Sequence, residues 1–303
     1  MASWQARLYS LFLRAYLKRR PRGDEAAFVQ FARRKFDPPQ FMRQPVPPYA
    51  QINVVNDGGV RGEWVTARDV AAQRTIYYLH GGGYVVGSPV LYRAFNATLA
   101  KAAQAQVFAL DYRLAPEHRF PAAVDDAVAG YRWLLAQGAR PANTLIGGDS
   151  AGGGLTLATL VRLRAEGLPL PAAAVLLSPW TDLAVTGNSV QANEATDAMF
   201  YADALKAFAP IYLGQASALE AWASPLYADL KGLPPLLIFV SKSECLLDDA
   251  LRIAVKARAA GVSVDLQAWA GLPHVWPVVV GLLPEARAAL SLIVDFTRRQ
   301  LVG

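Results

Sequence analysis

Short apolar runs alternate with amphipathic stretches along most of the chain. TIYYLH, AQVFALDY, TLIGGDS, AAAVLLSPW, PPLLIFVS and VSVDLQAW are rich in branched and aromatic residues. They read as buried strands. Between most of them lie stretches of helical period, such as AAVDDAVAGYRWLLAQ and LLDDALRIAVKARAA. Strands that alternate with helices predict a mostly parallel sheet covered on both faces. Upstream, INVV, the turn NDGG and VRGEWVTA read as two antiparallel strands of a hairpin. The prediction is an α/β fold with an eight-stranded sheet.

Two segments break the alternation. Residues 1–45 hold an amphipathic arm in which Trp4, Leu8, Leu11, Phe12 and Ala15 recur at helical spacing. The proline-rich DPPQFMRQPVPPYA (37–50) then reads as an extended connector. Residues 183–230, between the strands ending near Trp180 and starting near Leu236, contain the helix-like DAMFYADALKAFAPIYL. The expected organisation is a main body of residues 46–182 and 231–303. The 1–45 arm and the 183–230 insertion supply a lid.

Composition narrows this. A chain of 303 residues with 53% hydrophobic content can bury one large core, so a single body with an appendage is expected. The only cysteine, Cys245, excludes an internal disulfide and points to a reducing, cytoplasmic setting. The net charge of +6 is unevenly placed: residues 1–43 hold ten bases and three acids, and the rest of the chain is close to neutral. No base-reading module accompanies the basic arm, so a nucleic-acid partner is not expected. The arm is broken by Arg14, and no small-residue cleavage site follows it, unlike a signal peptide. It is too short and too charged to insert stably in a bilayer. Its apolar stripe is expected to pack on the protein rather than rest on an anionic surface.

The strongest chemical signal is LIGGDSAGGGLTLATL (145–160). A strand runs through Gly148-Asp149-Ser150-Ala151-Gly152 into a helix, which is the strand–turn–helix context that a G-x-S-x-G nucleophile turn requires. The serine then stands at a helix N-terminus, where backbone donors favour a developing anion. A serine needs a base, and His274 is the only histidine after Ser150. It lies in AGLPHVW, just past the last strand. The acid that orients it has several candidates. Glu244 follows PPLLIFVS and ranks first, then Asp248, then Asp182. The oxyanion needs backbone donors. Ala151 can supply one, and the glycines of HGGG behind TIYYLH can supply others. Tyr84 and Trp276 stand beside these positions in sequence and are candidate pocket-lining aromatics.

Together, HGGGYVVGS (80–88), DYRLAPEHRFPAAVDD (111–126), GDSAGG (148–153), SECLLDD (243–249) and LPHVW (272–276) resemble the hormone-sensitive-lipase-like family of α/β-hydrolases. The resemblance implies an esterase with a helical cap and no cofactor or metal. Its substrates would be short- to medium-chain esters, with lactones or longer lipids as alternatives. It implies oxyanion donors on Gly82 and Gly83. The family's D-P-L-x-D pattern, laid on SECLLDD, puts its first aspartate at Glu244, a longer acid than usual. His80 and the Arg113–Glu117 segment read as structural supports, and Cys245 as a buried small hydrophobe. Loss of the base would mark a non-catalytic ligand receptor of the same fold, but His274 is present. The last strand would leave an edge through which a homodimer could form.

Overall fold

The computed structural model describes residues 2–18, 24–37, 39 and 43–301. Arg19, Arg20 and Arg22 of the basic arm, and residues 38 and 40–42 of the proline-rich connector, lie outside the described residues.

All eight expected strands form one sheet: β1 (Ala50–Asp57), β2 (Val60–Ala67), β3 (Arg74–Leu79), β4 (Ala105–Leu110), β5 (Thr144–Asp149), β6 (Ala173–Leu177), β7 (Leu236–Ser241) and β8 (Val264–Trp269). Their spatial order is β1-β2-β4-β3-β5-β6-β7-β8. β2 runs antiparallel to both β1 and β4, and every later pairing is parallel. β8 ends the sheet as a half-buried edge strand.

The strands β3 to β7 are buried on both faces, as a parallel sheet requires. On β3, Tyr77 and Leu79 join one core cluster, while Ile76 and Tyr78 join the other. The first cluster takes in helices α4 (Ala122–Ala136), α5 (Ala151–Ala165) and α8 (Leu247–Ala259). The second takes in α3 (Pro89–Ala103) and α9 (Pro284–Gln300). Chain order reverses at β3, which has β4 on one side and β5 on the other. A crevice at the carboxyl ends of the strands opens at such a switch point. The pairing of Leu79 with Gly148 brings the HGGG loop and the serine turn side by side there.

The arm forms two helices, α1 (Trp4–Tyr16) and α2 (Glu25–Phe36). Ser3 caps α1 by accepting from the Ala6 N–H, and Asp24 caps α2 by accepting from the Ala27 N–H. The 183–230 insertion carries α6 (Ser189–Ala192) and α7 (Ala202–Leu213). α7 starts later than the apolar periodicity suggests. The Asp197 carboxylate accepts from the Met199 and Phe200 N–H groups, and this turn holds 197–201 out of the helix.

The arm and the insertion meet. Phe28 packs edge-on against Phe208, and Phe36 stacks on Phe200. Lys18 donates to the carbonyls of Glu194 and Asp197, and Arg14 to that of Thr196. One expectation is corrected here. α1 faces the protein with Ala6, Tyr9, Leu13 and Tyr16, and it turns Trp4, Leu8, Leu11 and Phe12 outward. Ala6 and Tyr9 pack into the second core cluster, and Leu13 and Tyr16 pack with Phe36 and Met199, while periodicity alone could not choose between the two faces. No helix among the described residues is long and apolar enough to cross a membrane.

Candidate active site

Ser150 sits between β5 and α5 with φ +51° and ψ −120°, a conformation that non-glycine residues rarely hold. The surroundings impose it. The Ser150 N–H donates to the Leu177 carbonyl, and the Ser150 carbonyl accepts from the Trp180 N–H. The turn also presses on β3: a Cβ at Gly152 would stand 2.0 Å from the Leu79 carbonyl oxygen. Glycine is therefore required there for close approach.

His274 follows β8, and Glu244 follows β7. Their side chains meet: His274 Nδ1 lies 2.9 Å from Glu244 Oε2, and both are buried. Glu244 Oε1 accepts from the Ser241 N–H. Since a carboxylate accepts, the proton on Nδ1 leaves Nε2 as the basic nitrogen. That Nε2 is buried and has no hydrogen-bond partner among the described residues. Burial pushes the imidazole down, but the Glu244 charge and hydrogen bond outweigh it, and His274 is raised above its ordinary value. Burial raises the Glu244 carboxyl as well, with the imidazole opposing that shift. Phe200 from the insertion sets its ring edge against the His274 ring at 5.1 Å.

The other acids are engaged elsewhere. Asp248 accepts from the Ser189 N–H. Asp182 holds Thr186, Tyr227 and Arg252. Among the described residues neither reaches His274.

Ser150 and His274 open into one cavity of about 440 Å³, together with Gly81, Gly82 and Gly83. The lining also includes Tyr9, Phe12 and Tyr16 of α1 and Phe200, Leu205 and Phe208 of the 183–230 segment. The N–H groups of Gly82, Gly83 and Ala151 make no hydrogen bond among the described residues, so three donors remain unused beside the serine.

Tyr84 and Trp276 are corrected: both are fully buried, and neither lines the cavity. Tyr84 has φ +63°, which turns its ring inward to stack on Tyr212 at 3.8 Å. Val275 has φ +58°, and Trp276 packs among Phe239 and Trp269.

His80 is held behind the glycine loop. Its Nδ1 donates to the Gly81 carbonyl at 2.7 Å, and its ring stacks on Tyr112. Burial lowers it to about 4, so it is neutral at pH 7. Arg113 is paired with Asp126, and Glu117 with Arg33 of α2. The Cys245 thiol is pushed up by burial.

Sequence reasoning missed Asp149. Its carboxylate is buried beneath the cavity and accepts from Tyr78 and Tyr92 hydroxyls, each at 2.8 Å, and from the Gly81 N–H at 3.0 Å. Burial raises it to about 6. A carboxylate closing an otherwise apolar strand was the available signal.

A family model for the alpha/beta hydrolase fold matches residues 76–278. An acetyl-hydrolase of Streptomyces hygroscopicus is 45% identical over 247 residues, covering 81% of this chain and 82% of that protein. An esterase of Acinetobacter venetianus is 38% identical over 253 residues, covering 83% of each chain. A crystal structure of an esterase from the bacterial hormone-sensitive lipase family superposes with a TM-score of 0.90 at 41% identity, covering 100% of both chains. On these likenesses and its fold, the chain belongs to the hormone-sensitive-lipase-like family of α/β-hydrolases.

Proposed function

We propose that this carboxylic ester hydrolase works as a serine esterase on short- to medium-chain esters, through an acyl-enzyme. Ser150 Oγ attacks the ester carbonyl as His274 Nε2 takes its proton. The N–H groups of Gly82, Gly83 and Ala151 hold the oxyanion. Collapse of the tetrahedral intermediate releases the alcohol, which takes the proton from His274. Water, deprotonated by His274, then attacks the acyl-enzyme and frees the acid and Ser150. Glu244 keeps His274 in the required tautomer and stabilises its charged form.

The observation that carries this reading is the buried Glu244–His274 pair, whose free Nε2 shares a cavity with Ser150. The likeness to an acetyl-hydrolase supports small acyl groups. We read α1, α2 and the 183–230 segment as a cap, because their side chains line the cavity that also holds the serine. The buried single cysteine supports a cytoplasmic setting. Pairing of β8 edges is the proposed route to a homodimer, read by sedimentation.

The test is hydrolysis of p-nitrophenyl esters from acetyl to palmitoyl. Rates are expected to peak at short to medium chains and to vanish in Ser150→Ala. Turnover that survives Ser150→Ala would end the proposed mechanism, and a peak at palmitoyl would favour a long-chain lipase.

A further inference from the structure

α1 is inverted relative to an ordinary surface helix, which buries its large apolar side chains. Here Trp4, Leu8, Leu11 and Phe12 are 70%, 60%, 64% and 47% exposed. Their spacing puts them on one face, since residues three, four, seven and eight apart align on a helix of 3.6 residues per turn. They form a single patch.

Two further observations say what the patch meets. The first is charge. Arg7 and Arg14, seven residues apart, share one exposed flank of the same helix, and Arg14 reaches the Thr196 carbonyl through one of its five N–H groups. They belong to a 43-residue stretch of net charge +7 on a chain that is otherwise near neutral. The second is continuity with the cavity. Phe12 is both part of the exposed patch and part of the cavity wall, and it stacks on Tyr16, another wall residue. Leu282 likewise lines the cavity while 53% exposed. Phe12 therefore links the exposed face of α1 to the chamber that holds Ser150.

We propose that the outer face of α1 docks on an anionic phospholipid surface. Trp4, Leu8 and Leu11 enter the headgroup–acyl boundary, and Arg7 and Arg14 meet the lipid phosphates. An aromatic and leucine face beside cations is what an interfacial helix needs, and it lies on the surface without spanning it. A second copy of this chain fits less well. Two such faces brought together would oppose two arms of like charge. Docked this way, the protein receives amphiphilic esters past Phe12, directly from the layer in which they dissolve. The docking itself does not depend on hydrolysis, so it can be read with an inert enzyme.

The experiment uses the full chain carrying Ser150→Ala. It is floated with vesicles of phosphatidylcholine alone, or mixed equally with phosphatidylglycerol. Binding to the mixed vesicles is expected to exceed binding to phosphatidylcholine by about tenfold or more, and to fall as salt rises. Leu8→Glu with Leu11→Glu should abolish it, and Arg7→Gln with Arg14→Gln should remove the preference for the anionic lipid. On the active background the leucine pair, which does not line the cavity, should leave hydrolysis of p-nitrophenyl acetate unchanged. Absence of binding to either vesicle would overturn the proposal. So would a wild-type dimer that the leucine pair turns into a monomer, because the face would then be a subunit interface. Loss of p-nitrophenyl acetate hydrolysis in the leucine pair would mean that the helix had been disrupted. Leu8→Gln with Leu11→Gln, kept active, must then still lose vesicle binding, or the proposal fails.

Discussion

Glu244 Oε2 stands 2.9 Å from His274 Nδ1, with both side chains closed off from solvent. In that setting the carboxylate does more than attract. It fixes which imidazole nitrogen carries the proton, and it offsets the burial cost of charging the ring. Glu244→Gln keeps the shape but removes the charge. The expected outcome is a fall in kcat of about 10³- to 10⁴-fold on p-nitrophenyl butyrate, with KM little moved. Asp248→Asn, whose carboxylate serves the Ser189 N–H, should stay within about tenfold of wild type. The reverse pattern would reassign the acid.

Asp149 links stability to pH. An ordinary aspartate titrates at 3.8, and burial raises this one to about 6. Its folded value lies above its unfolded value, so the native state favours the protonated form. The stabilisation is fully present below pH 3.8 and is lost as pH rises through about 6. A shift of this size corresponds to about 3 kcal/mol. In Asp149→Asn that loss disappears. Urea unfolding from pH 4 to 7 should show the variant gaining on wild type by roughly that amount, whatever constant offset the substitution carries. A difference that is flat with pH would refute the assignment. Activity should also fall on the order of tenfold, because asparagine keeps one acceptor oxygen where the carboxylate offers two to Tyr78, Tyr92 and the Gly81 N–H, and the proposed oxyanion loop loosens.

Asp197 joins the insertion to the acid. Its buried carboxylate accepts from the N–H groups of Met199, Phe200 and Cys245, the last adjoining Glu244. Asn193 adds to the join by donating to the Glu244 carbonyl. Phe200, placed by that turn, meets the His274 ring. Asp197→Ala leaves two buried donors and one half-buried donor without their partner, at a cost of about 1–3 kcal/mol or more. The melting temperature should drop, and kcat should fall along with it. Phe200→Ala should lower kcat while leaving the urea midpoint much less affected. Equal losses of stability in the two variants would show that the turn serves folding alone.

The eight strands and the serine turn were legible because their signals are local: alternating burial, short apolar runs, and glycines where chains come close. The pairing of Glu244 with His274 was partly legible, since both follow strands that end at the same edge. What sequence could not supply was direction. Tyr84 and Trp276 adjoin Gly83 and His274 closely in the chain, but positive φ angles at Tyr84 and Val275 turn the rings into the core. The outward face of α1 was equally hidden. Amphipathic periodicity defines two faces, and only packing against the insertion decides which one is inner.

Gly83 tests how tightly α7 bears on the proposed oxyanion loop. Its φ is +61°, and a Cβ there would stand 2.7 Å from Phe208 Cδ1 of α7. The ring has little room to give, because Phe28 of α2 packs edge-on against it at 4.8 Å. Two effects oppose Gly83→Ala. The left-handed conformation costs alanine about 1–2 kcal/mol, and the clash adds to this by pushing the loop away from Ser150. The magnitudes separate the two. Strain that the fold absorbs lowers the urea midpoint without touching kcat, whereas a displaced N–H donor costs about 10²- to 10³-fold in kcat. The expected result is the large loss in kcat for Gly83→Ala. At least a tenfold recovery is expected when Phe208→Ala is added, since the second change clears the space and leaves only the backbone strain. No recovery in the double variant would show that the backbone conformation at residue 83, rather than pressure from the cap, sets the position of the oxyanion donor.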